Sequence, residues 1–218
     1  GRPLRSILAI FNKKLLTFTY GHLRSKDFTV VEQDLETKYK KIKNFNEYQL
    51  FLKKNNITLN QNEREKKILR KFETICKSKK YKEIFDKKLL EEVVNITENP
   101  NVLLIDFDKK YLDIPSEIII STLQNHQKYF PLFDYKEKLT NYFLVVANKI
   151  DNKNLIKEGN KRVVEARLAD AKFFWDKDKS KNLIKQIGKL KEIIFYEKLG
   201  TIYDKTGTRK IFCFSTRF

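Results

Sequence analysis

The sequence predicts an α+β fold: a mixed or antiparallel β core with helices, a basic helical insertion and a C-terminal helical segment. Three observations carry the prediction. Short β-prone runs are interleaved irregularly with helical periodicities, giving too few strand–helix–strand units for a doubly wound sheet. Residues 36–83 hold 15 Lys/Arg against 6 Glu and carry helical spacings. From about residue 154 the apolar spacing is helical almost to the end.

The elements follow in order. Residues 6–10 and 15–20 are β-prone runs split by Asn12-Lys13-Lys14, a hairpin turn by composition. Residues 28–31 read as a third strand. Phe45, Tyr48 and Leu52 space one helix, and Ile68, Phe72 and Ile75 a longer one over residues 62–79. Leu89, Leu90, Val93, Val94 and Ile96 mark a helix ending near Glu98-Asn99-Pro100. Residues 102–107 form a compact strand. Pro115 opens the next helix, with Asp113 and Glu117 as favourable acids at its start. On that helix Ile119, Leu123 and His126 share a face, which predicts a partly buried imidazole at its end. Residues 129–134 and 141–148 read as strands joined by a polar turn, and helices follow over residues 154–177 and 182–191. The domain reading is an α+β body over residues 1–150 with the basic insertion at about 36–83, a helical segment over 151–205, and a divergent tail over 206–218.

The helix around residues 158–175 is the most informative stretch. At about 100° per residue, Val163, Phe174, Ala171, Val164, Trp175 and Leu168 fill an arc of about 140°. Arg167 falls inside that arc. A guanidinium on a buried face needs a carboxylate, a phosphate or a cluster of carbonyls. One expectation is an intramolecular pair, with Asp170 one turn on or with an acid from another element; the other is a phosphate or a partner's carboxylate. Phe174 and Trp175 are expected as core anchors, and Lys161, Arg162 and Lys172 as exposed charges free to reach phosphate.

Composition narrows the function classes. The formal charge is +18, from 46 basic and 28 acidic residues, which favours a polyanionic partner such as nucleic acid. Lysine supplies 37 of the 46 and arginine only 9, and an AT-rich coding bias produces the same balance without selection for binding. Cys76 and Cys213 form no CxxC pair, so neither a zinc site nor a disulfide framework is indicated, and a reducing compartment fits. No apolar run is long enough for a membrane span. There is no phosphate-cradling glycine loop, no metal spacing between His22 and His126, and no RNA-binding motif of the common kinds. The absence of any methionine is read as the mark of a fragment or processed product. The chain alone is not expected to be a complete enzyme.

Several blocks resemble the beta subunit of bacterial glycine–tRNA ligases, in that family's order. Residues Arg2-Pro3-Leu4-Arg5-Ser6-Ile7 are similar to an R-P-[LI]-x-x-I block, and Gly21-His22 to a G-H-R-F element whose last two positions are here Leu23-Arg24. Leu89-Leu90-Glu91-Glu92-Val93 with Glu98-Asn99-Pro100 resembles L-L-E-E-V…E-x-P. Ile114-Pro115-Ser116-Glu117 leads to His126-Gln127-Lys128-Tyr129-Phe130, similar to P-x-E…H-Q-K-Y-F. Val146-Ala147-Asn148, Glu158-Gly159-Asn160 and Arg167-Leu168-Ala169-Asp170-Ala171 resemble V-A-N…E-G-N…A-R-L-A-D-A, and Glu197-Lys198-Leu199-Gly200-Thr201 resembles E-K-L-G-T. The likeness covers about residues 2–205; the tail departs from it, which suggests a shifted reading frame or an assembly end.

The resemblance implies a division of labour. An alpha subunit, using ATP and Mg, activates glycine. The beta subunit binds and positions tRNA(Gly) in a cytoplasmic α2β2 assembly. It implies no cofactor and no catalytic residue on this chain, but a body similar to the B3/B4 region of the phenylalanine enzyme. The residues expected at a tRNA or subunit interface are His126, Gln127, Lys128, Arg162, Arg167 and Lys172, with Asp170, Phe174 and Trp175 structural. Three roles stay open: tRNA binding, an editing-like hydrolytic domain centred on His126, and an interface module for the alpha subunit.

Overall fold

A computed structural model describes residues 4–33, 36–83 and 86–207. They are α+β, with several small, mainly antiparallel sheets. The chain divides into two compact units, Gly1–Ala166 and Arg167–Phe218, and the division falls inside a helix.

The first unit begins with small sheets. Strand β1 (Ile7–Leu8) lies parallel to β5 (Leu23–Lys26), which pairs antiparallel with β4 (Thr19–Tyr20). Gly21-His22 is the two-residue turn between β4 and β5; Gly21 at φ 58° takes the left-handed position such a tight turn requires, and His22 is exposed there. Strands β2 (Ile10–Phe11) and β3 (Lys14–Leu15) form the expected hairpin, with Asn12 and Lys13 both at positive φ. A longer ribbon pairs β6 (Phe28–Gln33) with β7 (Glu36–Lys41). The basic stretch therefore starts as a strand, not a helix: alternating side chains along Glu36–Lys41 pair with a β-branched partner strand, which overrides the stretch's lysine-rich composition.

Helices α1 (Phe45–Lys54) and α2 (Gln61–Lys79) follow. Each is capped by an asparagine, Asn44 onto Glu47 and Asn60 onto Asn62 and Glu63. Asp86 caps α3 (Lys87–Ile96). The central sheet is antiparallel, in the order β8 (Lys82–Glu83), β10 (Phe130–Phe133), β11 (Leu139–Ala147), β9 (Asn101–Asp106). Its strands alternate between two buried faces. One face gives Val102, Phe130, Leu132 and Leu144 to a core shared with Ile68, Phe72 and Cys76 of α2 and with Leu89, Leu90, Val93 and Val94 of α3. Phe72 meets Phe130 edge-on at 4.8 Å. Phe143 points to the other face, where Tyr129 stacks on it at 5.3 Å and Phe107 lies at 6.3 Å.

Among the described residues of this body, one charged side chain is buried. Arg64 on α2 is 9% exposed and donates to three main-chain oxygens: Val94 at 2.9 Å, Thr58 at 2.7 Å and Leu59 at 2.8 Å. A cluster of carbonyls is one of the ways a buried guanidinium is satisfied, and here it serves Arg64.

Helix α4 (Ser116–Ser121) runs into a π turn, Thr122–His126. Helix α5 (Leu155–Lys179) begins in the first unit. The second unit, taken by itself, continues α5 and adds α6 (Leu183–Gln186), a 3₁₀ turn at Ile187–Lys191, and an isolated bridge from Ile194 to Thr201. Among its described residues only Leu168 is buried; Phe173, Ile184, Ile194 and Leu199 are exposed. Residues 208–218, which include Cys213 and most of the divergent tail, and Arg2-Pro3 at the start, lie outside the described residues.

Candidate functional site

The junction at residues 126–130 is built on the π turn. An i→i+5 turn advances less per residue than an α turn, so the side chain at 126 rotates off the face shared by Ile119 and Leu123. Those two are fully buried, and His126 is exposed. The expectation of a partly buried imidazole is thereby corrected. Gln127 is half-buried. Lys128 takes the left-handed conformation at φ 60°, and its ammonium pairs with Glu92 of α3 at 2.9 Å. That bend lets the Tyr129 N–H return to the Leu123 carbonyl at 2.9 Å.

Tyr129 then reaches α5. Its hydroxyl donates to Asn160 Oδ1, and Asn160 Nδ2 donates to the Ile156 carbonyl at 2.6 Å. Burial pushes the Tyr129 phenol above its ordinary range, so it stays a neutral donor. One residue along, Lys161 pairs with Asp106 at the end of β9 at 2.8 Å, and that carboxylate holds its ammonium above the usual lysine value. Glu165 accepts the Asp108 N–H at 3.1 Å. Lys161 is therefore a tie within the fold, not a free surface charge. Arg162 is exposed beside it.

These contacts reset the face of α5. The packed side runs through Asn160, Lys161, Val164 and Leu168, with Val164 and Leu168 fully buried. Polar residues with partners occupy part of it, so counting apolar residues misplaces its centre. Val163 is 43% exposed and Phe174 58%, and Arg167 is exposed among them. Phe174 is not a core anchor; it meets Phe173 edge-on at 5.5 Å, and Trp175 is half-buried. Asp170 is exposed, and among the described residues no ion pair joins it to Arg167. Lys172 pairs with Asp176 at 3.3 Å. Of the six expected interface residues, the Tyr129–Asn160 bond links the 126–128 junction to the helical turn carrying Arg162. Arg167 and Lys172 belong to the second unit.

A pattern runs through these ties. The Asn148 side chain accepts the N–H groups of Glu98 at 2.8 Å and Asn99 at 3.3 Å. Lys128 holds Glu92, and Tyr129 holds Asn160. Blocks distant in sequence that carried the family resemblance thus bond to one another in space. The chain matches the family described as glycyl-tRNA synthetase beta subunit over residues 1–212.

It belongs to that family.

The match extends past residue 205, where the sequence reading placed the start of a divergent tail. Similar relatives include the glycine–tRNA ligase beta subunit of Dictyoglomus turgidum, 38% identical over 97% of this chain and 31% of that protein. The protein of the same name from Thermodesulfovibrio yellowstonii is 34% identical over 94% of this chain and 30% of its own length. That of Rickettsia prowazekii is 38% identical over 94% and 31%. The chain spans about 30% of the length of these relatives.

Sequence reasoning missed two features. Arg64 was hidden because its neighbours in α2 are also charged. The open cleft of about 590 Å³ lined by Lys38, Lys40, Leu50, Phe51 and Lys54 was hidden because it needs β7 as a strand. Its one signal was the Lys38-Tyr39-Lys40-Lys41 alternation.

Proposed function

We propose that this protein works as part of a glycine–tRNA ligase, where it binds and positions tRNA(Gly) and holds an alpha subunit. The observation that carries the reading is the family match over residues 1–212. Relatives over that span bear the name of a beta subunit, which supports a partner chain. The +18 charge supports a polyanionic substrate. The proposal assigns ATP, Mg and glycine activation to the alpha subunit of an α2β2 assembly, because this sequence has no phosphate-cradling loop. Its proposed setting is the cytoplasm, and no helix among the described residues is long and apolar enough to cross a membrane.

The editing-like reading gains no support from His126. A hydrolytic histidine needs a group that orients it, and among the described residues this exposed imidazole has none. Co-expression with the alpha subunit, followed by gel filtration and a glycylation assay, tests the proposal. Co-elution and charging of tRNA(Gly) are expected. Elution apart from the alpha subunit, together with tRNA(Gly) bound no more tightly than heparin at about 0.15 M salt, would sink it.

A further inference from the structure

Strand β7 divides its lysines between two faces. Lys41 lies on the face of Phe28 and Tyr39, and Asp27 neutralises it at 2.8 Å. That pair holds the Asp27 carboxyl below its usual range. Lys38 and Lys40 lie on the opposite face, cross-strand from Val31 and Thr29. They line the cleft against α1, where Lys54 approaches from the helix's last turn. Among the described residues Lys38 forms an ion pair only with Glu36, at 3.8 Å, and Lys40 and Lys54 have no carboxylate partner. The one acid lining the cleft, Glu47, is engaged: its carboxylate accepts the Lys43 N–H at 3.0 Å.

The floor is apolar. Leu50 is 67% exposed, Phe51 is half-buried, and both line the cleft. Leu50 also lines a second groove of about 870 Å³ on the other side of α1, with Phe45, Lys53 and Lys67. A ligand that fills this place carries several negative charges and also a flat or apolar body that lies against Leu50 and Phe51. A duplex offers only its phosphates to such a floor, whereas an unpaired nucleotide offers phosphate and base face together.

We propose that the cleft between β7 and α1 binds single-stranded RNA, with Lys38, Lys40 and Lys54 on successive phosphates and a base against Leu50 and Phe51. This rests on the tRNA-binding reading and assigns it a location and a strand type. An unpaired end or loop of the tRNA is the part that fits.

The test titrates labelled tRNA and a labelled single-stranded RNA 12-mer with wild type, with Lys38→Ala/Lys40→Ala/Lys54→Ala, and with Leu50→Ser. A control triple, Lys66→Ala/Lys71→Ala/Lys79→Ala, removes the same charge from exposed positions of α2. The cleft triple is expected to weaken 12-mer binding at least about tenfold and to lower the slope of log affinity against log salt by about two, at about 0.7 per phosphate contact on single strands. Leu50→Ser is expected to weaken it about threefold or more with the slope unchanged. All the substituted side chains are exposed, and circular dichroism checks that each variant is folded. Equal loss in the two triples, no loss in either, or competition by poly-glutamate as strong as by RNA overturns the cleft assignment. If wild type binds tRNA and only the cleft predictions fail, the function reading stands. If wild type binds no tRNA, both fail.

Discussion

Arg64 donates three hydrogen bonds to main-chain oxygens from a place where it is 9% exposed. Cutting it back to an apolar side chain leaves the Thr58, Leu59 and Val94 carbonyls without their donor. Arg64→Met is therefore expected to cost about 3 kcal/mol in a urea melt, and Arg64→Lys to recover only part, because an ammonium lacks the planar fork. Tyr129→Phe removes the donor to Asn160 and is expected to cost about 1 kcal/mol. It has a pH signature as well. The buried phenol titrates above its unfolded value, so its contribution is complete below about pH 10 and is lost as pH rises through the folded value. The Phe variant should lose part of the wild type's alkaline decline in melting temperature; an unchanged decline would refute this. At this scale the sequence placed a buried guanidinium at Arg167, paired with an acid or a phosphate, whereas the buried one is Arg64 and its partners are main-chain carbonyls. Helical periodicity locates a face only when its polar members are unsatisfied. Here Asn160, Lys161 and Glu165 all find partners on the packed side of α5.

The elements themselves were more legible. Residues 62–79 as a helix became α2, Gln61–Lys79, and the turn at Asn12-Lys13 is present with both residues at positive φ. These are local decisions, made by caps, turn residues and apolar spacing. The exceptions depend on distant partners. Strand β7 exists because β6 lies beside it, and the π turn after α4 redirects His126 without any glycine or proline to announce it. Lys128 supplies the bend that follows. Its left-handed backbone tolerates glycine and penalises branching at Cβ. Lys128→Val is expected to lower stability by about 2 kcal/mol, and Lys128→Gly to stay within about 1 kcal/mol of wild type, since it eases the backbone while losing the exposed pair with Glu92. Equal effects of the two substitutions in thermal melts would argue against backbone strain at this position.

Across the whole molecule, burial is uneven. The first unit holds a two-faced sheet with a shared helical core, while the second leaves Phe173, Phe174, Ile184, Ile194 and Leu199 more than half exposed. Exposed apolar side chains of this size bind hydrophobic dyes and promote association. Ile184→Lys with Ile194→Lys is expected to lower dye fluorescence and light scattering by about half without shifting the main unfolding transition; unchanged scattering would refute the link. The family was legible in the sequence because its blocks are the residues that tie the body together. The cleft was not, since its lysines come from two elements whose pairing no local spacing encodes. One core residue also gives the molecule a chemical clock. The Cys76 thiol is 4% exposed between α2 and the sheet, so a thiol reagent reaches it only when that core opens. With Cys213→Ser removing the other sulfur, the rate of labelling at Cys76 becomes a direct count of core openings, and comparing it with and without tRNA would show whether RNA bound elsewhere on the surface slows them.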